Sequence, residues 1–158
     1  MKKEFLDLRK QPLGNKFLNE EQFKDEFFYN LRVVFDEDTK LVSMKEFVAP
    51  EQIFDAEYPY WTSQSVPMIE HFKETANMLQ EQFEIDKVLE IGSNDGTFIK
   101  NFNKDDSVCV EPCGNFAEYT NKELKYKTYP EYWTTDLAKI IEENHGKFDL
   151  IYSANCIS

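Results

Sequence analysis

Basic charge, cysteine and long apolar runs are all scarce in this sequence, and each scarcity removes a class of function. Eighteen Lys and Arg face thirty Asp and Glu, for a formal net charge of −12. No basic cluster longer than Lys2-Lys3 interrupts that balance, so nucleic acid and anionic membrane surfaces are excluded as expected partners. Only three cysteines occur, Cys109, Cys113 and Cys156, without a C-x-x-C pair. An odd, unpaired set predicts reduced thiols rather than a disulfide framework. No stretch of eighteen apolar residues occurs, and Met1-Lys-Lys-Glu-Phe5 lacks the apolar core of a signal peptide, so a cytoplasmic location is expected.

What is present suffices for a core. Hydrophobic residues make up 41% of the 158, with 14 Phe and 8 Tyr, a composition that folds. One ordinary domain, or a small module joined to part of another, fits this length. The composition changes near residue 66. Residues 1–66 read as a small β-rich lead-in, with a turn at Gln11-Pro-Leu-Gly-Asn15 and short strands Leu31–Phe35 and Lys40–Met44 around Asp36-Glu-Asp-Thr39.

Beyond Pro67, Ile69, Phe72, Ala76, Leu79 and Phe83 recur at spacings of three and four, predicting an amphipathic helix of about four turns capped by Ser65. Then come a strand Lys87–Ile91, a helix Thr97–Phe102, a strand Ser107–Glu111 stopped by Pro112 and a helix 115–121. A weak strand near Tyr126, a helix through Trp133, Leu137, Ile140 and Ile141, and a strand Phe148–Ser153 complete the series. This alternation predicts an α/β fold, a partial Rossmann-like parallel sheet.

The strand ending at Glu90-Ile91 runs into Gly92-Ser-Asn-Asp-Gly96 and then a helix start. Such a small-residue turn at the carboxyl end of a first strand is where open α/β sheets bind ligands. Glu111, nineteen residues beyond Gly92, ends the next strand, where an acid can accept hydrogen bonds from both ribose hydroxyls of an adenosine cofactor. The dinucleotide fingerprint requires a glycine where this chain has Asn94. S-adenosylmethionine (SAM), which has no phosphate and carries a sulfonium, tolerates Glu90, Asn94 and Asp95 as neighbours, so it is the expected cofactor ahead of NAD. Taken singly, Glu90 is also a strand-end charge, Asp95 a helix-start acid and Asn155 a turn residue. His71 and His145 read as helix-flank and helix-end residues, and Cys109 as a buried strand thiol.

The sequence resembles the sugar C-methyltransferases that act on nucleotide-linked deoxysugars. The resemblance rests on Gln11-Pro-Leu-Gly-Asn-Lys-Phe-Leu18, Val48-Ala-Pro-Glu-Gln-Ile-Phe54, Tyr58-Pro-Tyr-Trp-Thr-Ser-Gln-Ser65, Leu89-Glu-Ile-Gly-Ser-Asn-Asp-Gly-Thr97, Val110-Glu-Pro112 and Phe148-Asp-Leu-Ile-Tyr-Ser-Ala-Asn155. It implies a zinc-binding-type module at 1–66, then the N-terminal part of a class I SAM-methyltransferase domain at 67–158. It further implies that Glu90, Gly92, Ser93, Asn94, Asp95, Gly96, Glu111, Pro112 and Asn155 hold SAM. Tyr60 would polarise or deprotonate a nucleotide-sugar substrate, or serve only as a packing aromatic. The family's zinc module uses cysteine pairs; this chain has Asp36 and Thr39 where the second should stand and lacks the first, so no zinc is expected. The family also continues past Asn155 with a histidine, further strands and a further domain. An incomplete enzyme, inactive alone, is therefore expected, with another methyl acceptor as an open alternative. The competing reading is a non-catalytic SAM-binding or interaction module that pairs, as a homo-oligomer or with a complementing chain, through its unprotected sheet edge.

Overall fold

The computed structural model describes residues 1–156 and divides the chain into two compact units, Met1–Phe54 and Asp55–Ser158. The expected boundary near residue 66 falls inside the second unit, at the start of its first long helix.

The first unit is an antiparallel sheet of β1 (Lys2–Pro12), β2 (Phe28–Asp36) and β3 (Val42–Met44), in that order, followed by one turn of helix, α1 (Pro50–Ile53). The β2–β3 hairpin turns on Asp36-Glu-Asp-Thr39: the Asp36 carboxylate accepts the Asp38 N–H at 3.0 Å, and Lys40 takes positive φ. The strand β1 carries no period-two signal. Its register on β2 shifts between Glu4 and Leu6 and again between Asp7 and Lys10, and each bulge inverts the apolar alternation. Only Val34 is a fully buried apolar residue in this unit. Polar pairs fasten the strands instead. Arg32 on β2 and Asn30 both reach Glu46, and Lys45 Nζ meets Glu4 of β1 at 2.8 Å.

The second unit opens with helix α2 (Val66–Gln82) and then alternates β4 (Val88–Ile91), β5 (Ser107–Val110), α3 (Gly114–Lys122), β6 (Lys127–Tyr129), α4 (Thr135–His145) and β7 (Leu150–Tyr152). All four strands are parallel, in the order β6-β5-β4-β7. The chain thus winds outward from β4 in both directions, as in doubly wound sheets. Strands β4 and β5 are buried throughout, which explains why apolar residues occupy both faces of each strand. One face packs Val88 and Cys109 against Phe72 and Ala76 of α2 and against Phe98, Ile99 and Phe102. The other packs Leu89, Ile91, Val108 and Val110 against Leu137 and Ile141 of α4.

Three local expectations need correction. The predicted helix at 97–102 is a single 3-10 turn, Ile99–Asn101. Asn101 Nδ2 donates back to the Thr97 and Phe98 carbonyls at 3.2 and 2.8 Å, taking acceptors that a continuing helix would need. Trp133 precedes α4, because Thr134 is the cap: its hydroxyl accepts the Leu137 N–H at 3.1 Å. Ser65 occupies the N-cap position of α2 but makes no side-chain cap bond.

Candidate functional site

The carboxyl ends of β4, β5 and β7 lie at the point where the winding of the sheet reverses, and the glycine turn sits there. Gly92 N–H bonds the Val110 carbonyl at 2.8 Å, so the turn leaves β4 toward β5. Gly92, Asn94 and Gly96 all take positive φ, +72°, +49° and +73°, a region open to glycine and tolerated by asparagine. A side chain at Gly92 would strike Cys156 Sγ at 2.7 Å, and one at Gly96 would strike Leu124 at 2.9 Å. From β7, Ser153 Oγ donates to the Ile91 carbonyl at 3.0 Å, bringing the Ser153–Cys156 turn against the glycine turn.

Glu111 follows β5 and is almost wholly buried. One carboxylate oxygen accepts the Asn94 N–H at 2.7 Å and the other the Cys113 N–H at 2.8 Å. The Cys113 thiol also bonds this carboxylate, and since a carboxylate offers about four lone-pair sites, capacity for a further donor remains. Burial raises its pKa, while those two amides oppose the rise. Glu90 is 4% exposed and accepts the Ile99 N–H at 3.1 Å. Burial holds its carboxyl well above the ordinary carboxylate range, reinforced by the nearby Glu111 and Asp95.

Asn94 and Asp95 turn toward the preceding segment. Asn94 Oδ1 accepts both the backbone N–H and the hydroxyl of Thr62, each at 3.0 Å, and its Nδ2 donates to the Tyr60 carbonyl at 2.9 Å. Asp95 accepts the Ser63 N–H at 2.8 Å and the Thr97 hydroxyl at 2.6 Å. In the first turn of α3, Asn115 Nδ2 donates to the Tyr58 carbonyl at 3.0 Å. Trp61 stands edge-on to Phe116 and Tyr119, with centroids 4.8 and 5.3 Å apart.

Tyr60 is thus held at the site through its backbone, and its side chain is 49% exposed. Asn155, at positive φ, is exposed in the turn after β7. Ser93 is buried and Pro112 half-buried. The structure brings all ten expected site residues to one end of the sheet or to the turns that border it. Sequence reasoning passed over Tyr58, Thr62, Ser63, Asn115 and Cys156. The first three lie inside Tyr58–Ser65, but nothing local distinguishes a segment bonded to a turn some thirty residues away.

Residues 1–54 match the family model described as “Putative zinc binding domain”. That family is methyltransferase-associated, and the match covers about a third of the chain. No curated protein matches the sequence. The matched segment contains no cysteine or histidine, the ligands a structural zinc requires. Asp36 and Thr39 spend their side-chain oxygens on the hairpin turn, accepting from Asp38 N–H and Leu41 N–H. The residues present do not fit zinc. Among the described residues, no helix is long and apolar enough to cross a membrane.

The same test for an adenosine cofactor comes out the other way. Gly92 offers backbone with no side chain of its own, Glu111 keeps free acceptor capacity, and the buried Asn115 Oδ1 has no hydrogen-bond partner among the described residues. The Glu111 carboxylate and Asn115 Oδ1 are acceptors at a strand-end turn, which fit ribose hydroxyls and an exocyclic amine.

Proposed function

We propose that the second unit binds SAM and that the chain belongs to a methyl-transfer system whose acceptor is a nucleotide-linked keto-deoxysugar. The observation that carries the cofactor reading is the buried carboxylate of Glu111, which bridges the turns after β4 and β5. Glu111 would accept the ribose hydroxyls, with Gly92, Ser93, Pro112 and Asn155 bordering the cofactor. NAD is disfavoured because the pyrophosphate needs bare backbone at position 94, and here the Asn94 side chain bonds Tyr60 and Thr62 instead. When bound, SAM supplies an electrophilic methyl group on a cationic sulfur, which the acidic surroundings of Glu90, Asp95 and Glu111 suit.

The acceptor reading rests on the sequence stretches shared with the sugar C-methyltransferases and on the methyltransferase-associated match at 1–54. A carbon beside a ketone becomes nucleophilic when its proton is removed and the enolate is stabilised. Tyr60 is the expected catalytic side chain, and its exposed phenol would polarise the carbonyl or take the proton. Cytoplasmic location and a small-molecule acceptor follow the same reading.

One observation favours a second reading, a non-catalytic SAM-binding module. Among the described residues β7 is paired on one side only, and its Ile151 is 60% exposed. Such an edge can accept a strand from a second copy or from a complementing chain.

Calorimetry with SAM and with NAD tests the cofactor. SAM binding without NAD binding is expected; tighter NAD binding, or no SAM binding by a folded chain, rejects it. Methyl transfer to a 4-keto nucleotide sugar by this chain alone would reject the module reading.

A further inference from the structure

We propose that Asn94, Asp95 and Asn115 are positioning residues that hold the segment Tyr58–Ser63 as a preformed wall across the cofactor site. The inference deepens the SAM reading and rests on it for the identity of the ligand. Its geometry stands independently. The segment is fastened at one end to Asn115, just beyond β5, through the Tyr58 carbonyl, and at the other to Asn94 and Asp95, just beyond β4. It therefore spans the carboxyl ends of the two strands whose turns Glu111 joins.

Both ends of the Asn94 side-chain amide are engaged. Its Oδ1 takes two donors from Thr62, its Nδ2 reaches the Tyr60 carbonyl, and its own N–H goes to Glu111. A glycine would serve the +49° backbone equally well, but would supply none of the side-chain bonds. The asparagine thus joins three pieces of chain, 60–62, the turn itself and Glu111. Trp61 packs between Phe116 and Tyr119 of α3 and is an internal reporter of the clamp. A wall that is ordered before the ligand arrives spares binding the entropy of ordering it. Loosening the wall should therefore weaken the ligand, and Asp95→Asn, which removes the charge but keeps an acceptor for Ser63, separates that effect from loss of an acidic neighbour.

The test uses the full chain in a Trp133→Phe background, leaving Trp61 as the sole tryptophan. Asn94→Gly deletes the clamp while relieving the positive φ; Asp95→Ala removes the Ser63 anchor, and Asp95→Asn retains one acceptor for it. Acrylamide quenching of Trp61 should rise in Asn94→Gly and Asp95→Ala and return toward the parent value in Asp95→Asn. The dissociation constant for SAM should rise about tenfold in the first two and recover in the third. If Asn94→Gly does not fold by circular dichroism, the Asp95 pair decides. Unchanged Trp61 quenching in a folded variant overturns the proposal, as does parental SAM affinity in a variant whose Trp61 has become accessible. A parent chain that binds no SAM refutes the cofactor reading instead, and Trp61 quenching alone then decides the clamp.

Discussion

Glu111 accepts the backbone N–H of Asn94 at 2.7 Å, so the acid expected to meet a ribose also fixes the shape of the glycine turn. Its second oxygen does the same for Cys113. Glu111→Gln replaces one acceptor with an N–H facing an N–H, leaving a buried donor without a partner. The substitution should cost about 1–3 kcal/mol of stability, read as a lower midpoint in urea, and should weaken SAM binding. An unchanged midpoint would mean that the carboxylate does not hold the two turns.

Glu90 predicts how stability depends on pH. Its folded pKa lies well above the ordinary carboxylate value because it is buried, with Glu111 and Asp95 adding repulsion. In the unfolded chain it loses its proton near its ordinary value, while in the folded chain it keeps it to higher pH. The unfolded state then binds fewer protons, so stability falls as pH rises from the ordinary carboxylate range toward the raised folded pKa. Glu90→Gln, which can still accept the Ile99 N–H, should flatten that decline and raise the melting temperature at its upper end. Glu111 is shifted in the same direction, so a residual slope should persist. Parallel melting curves across pH 4–8 for parent and variant check it.

The two glycines of the turn should fail differently. Gly92→Ala puts a methyl group 2.7 Å from Cys156 Sγ, an exposed residue able to move, at a cost of about 1–2 kcal/mol for the positive φ. Its main expected effect is loss of SAM binding. Gly96→Ala meets Leu124 at 2.9 Å and Thr120 at 3.3 Å. Thr120 is buried, so overpacking of about 1–3 kcal/mol adds to the strain. Gly96→Ala should therefore show the larger drop in melting temperature, and calorimetry with thermal unfolding separates the two.

The thiols provide a footprint of the site. Cys109 and Cys113 are buried and Cys156 is exposed. Burial raises the Cys156 pKa, and the nearby Glu111 adds to the rise. Iodoacetamide should label Cys156 alone in the folded chain, faster as pH rises because the thiolate is the nucleophile. SAM should slow that labelling, since Cys156 Sγ lies over Gly92. Mass spectrometry of the adducts, with and without SAM, reads the result; equal rates would place the ligand away from this turn.

Much of the second unit was legible from pattern alone. Strands β4 and β5 are short and apolar on both faces because both sheet faces are covered, and α2 follows the three-and-four spacing of Phe72, Ala76 and Leu79. The glycine turn and Glu111 were legible because each requirement lies within a few residues of chain: positive φ at Gly92 and Gly96, and an acid at a strand end. The strand β1 was not, since two register shifts break its alternation, nor was the early end of the helix after Gly96, which Asn101 decides by bonding backward. The direction of Asn94 and Asp95 was least accessible of all. Composition and order determined an α/β sheet with a glycine turn after its first parallel strand. Only the tertiary structure decided that those two polar side chains reach Tyr60, Thr62 and Ser63, because a hydrogen bond between residues 32 apart depends on where folding places both ends.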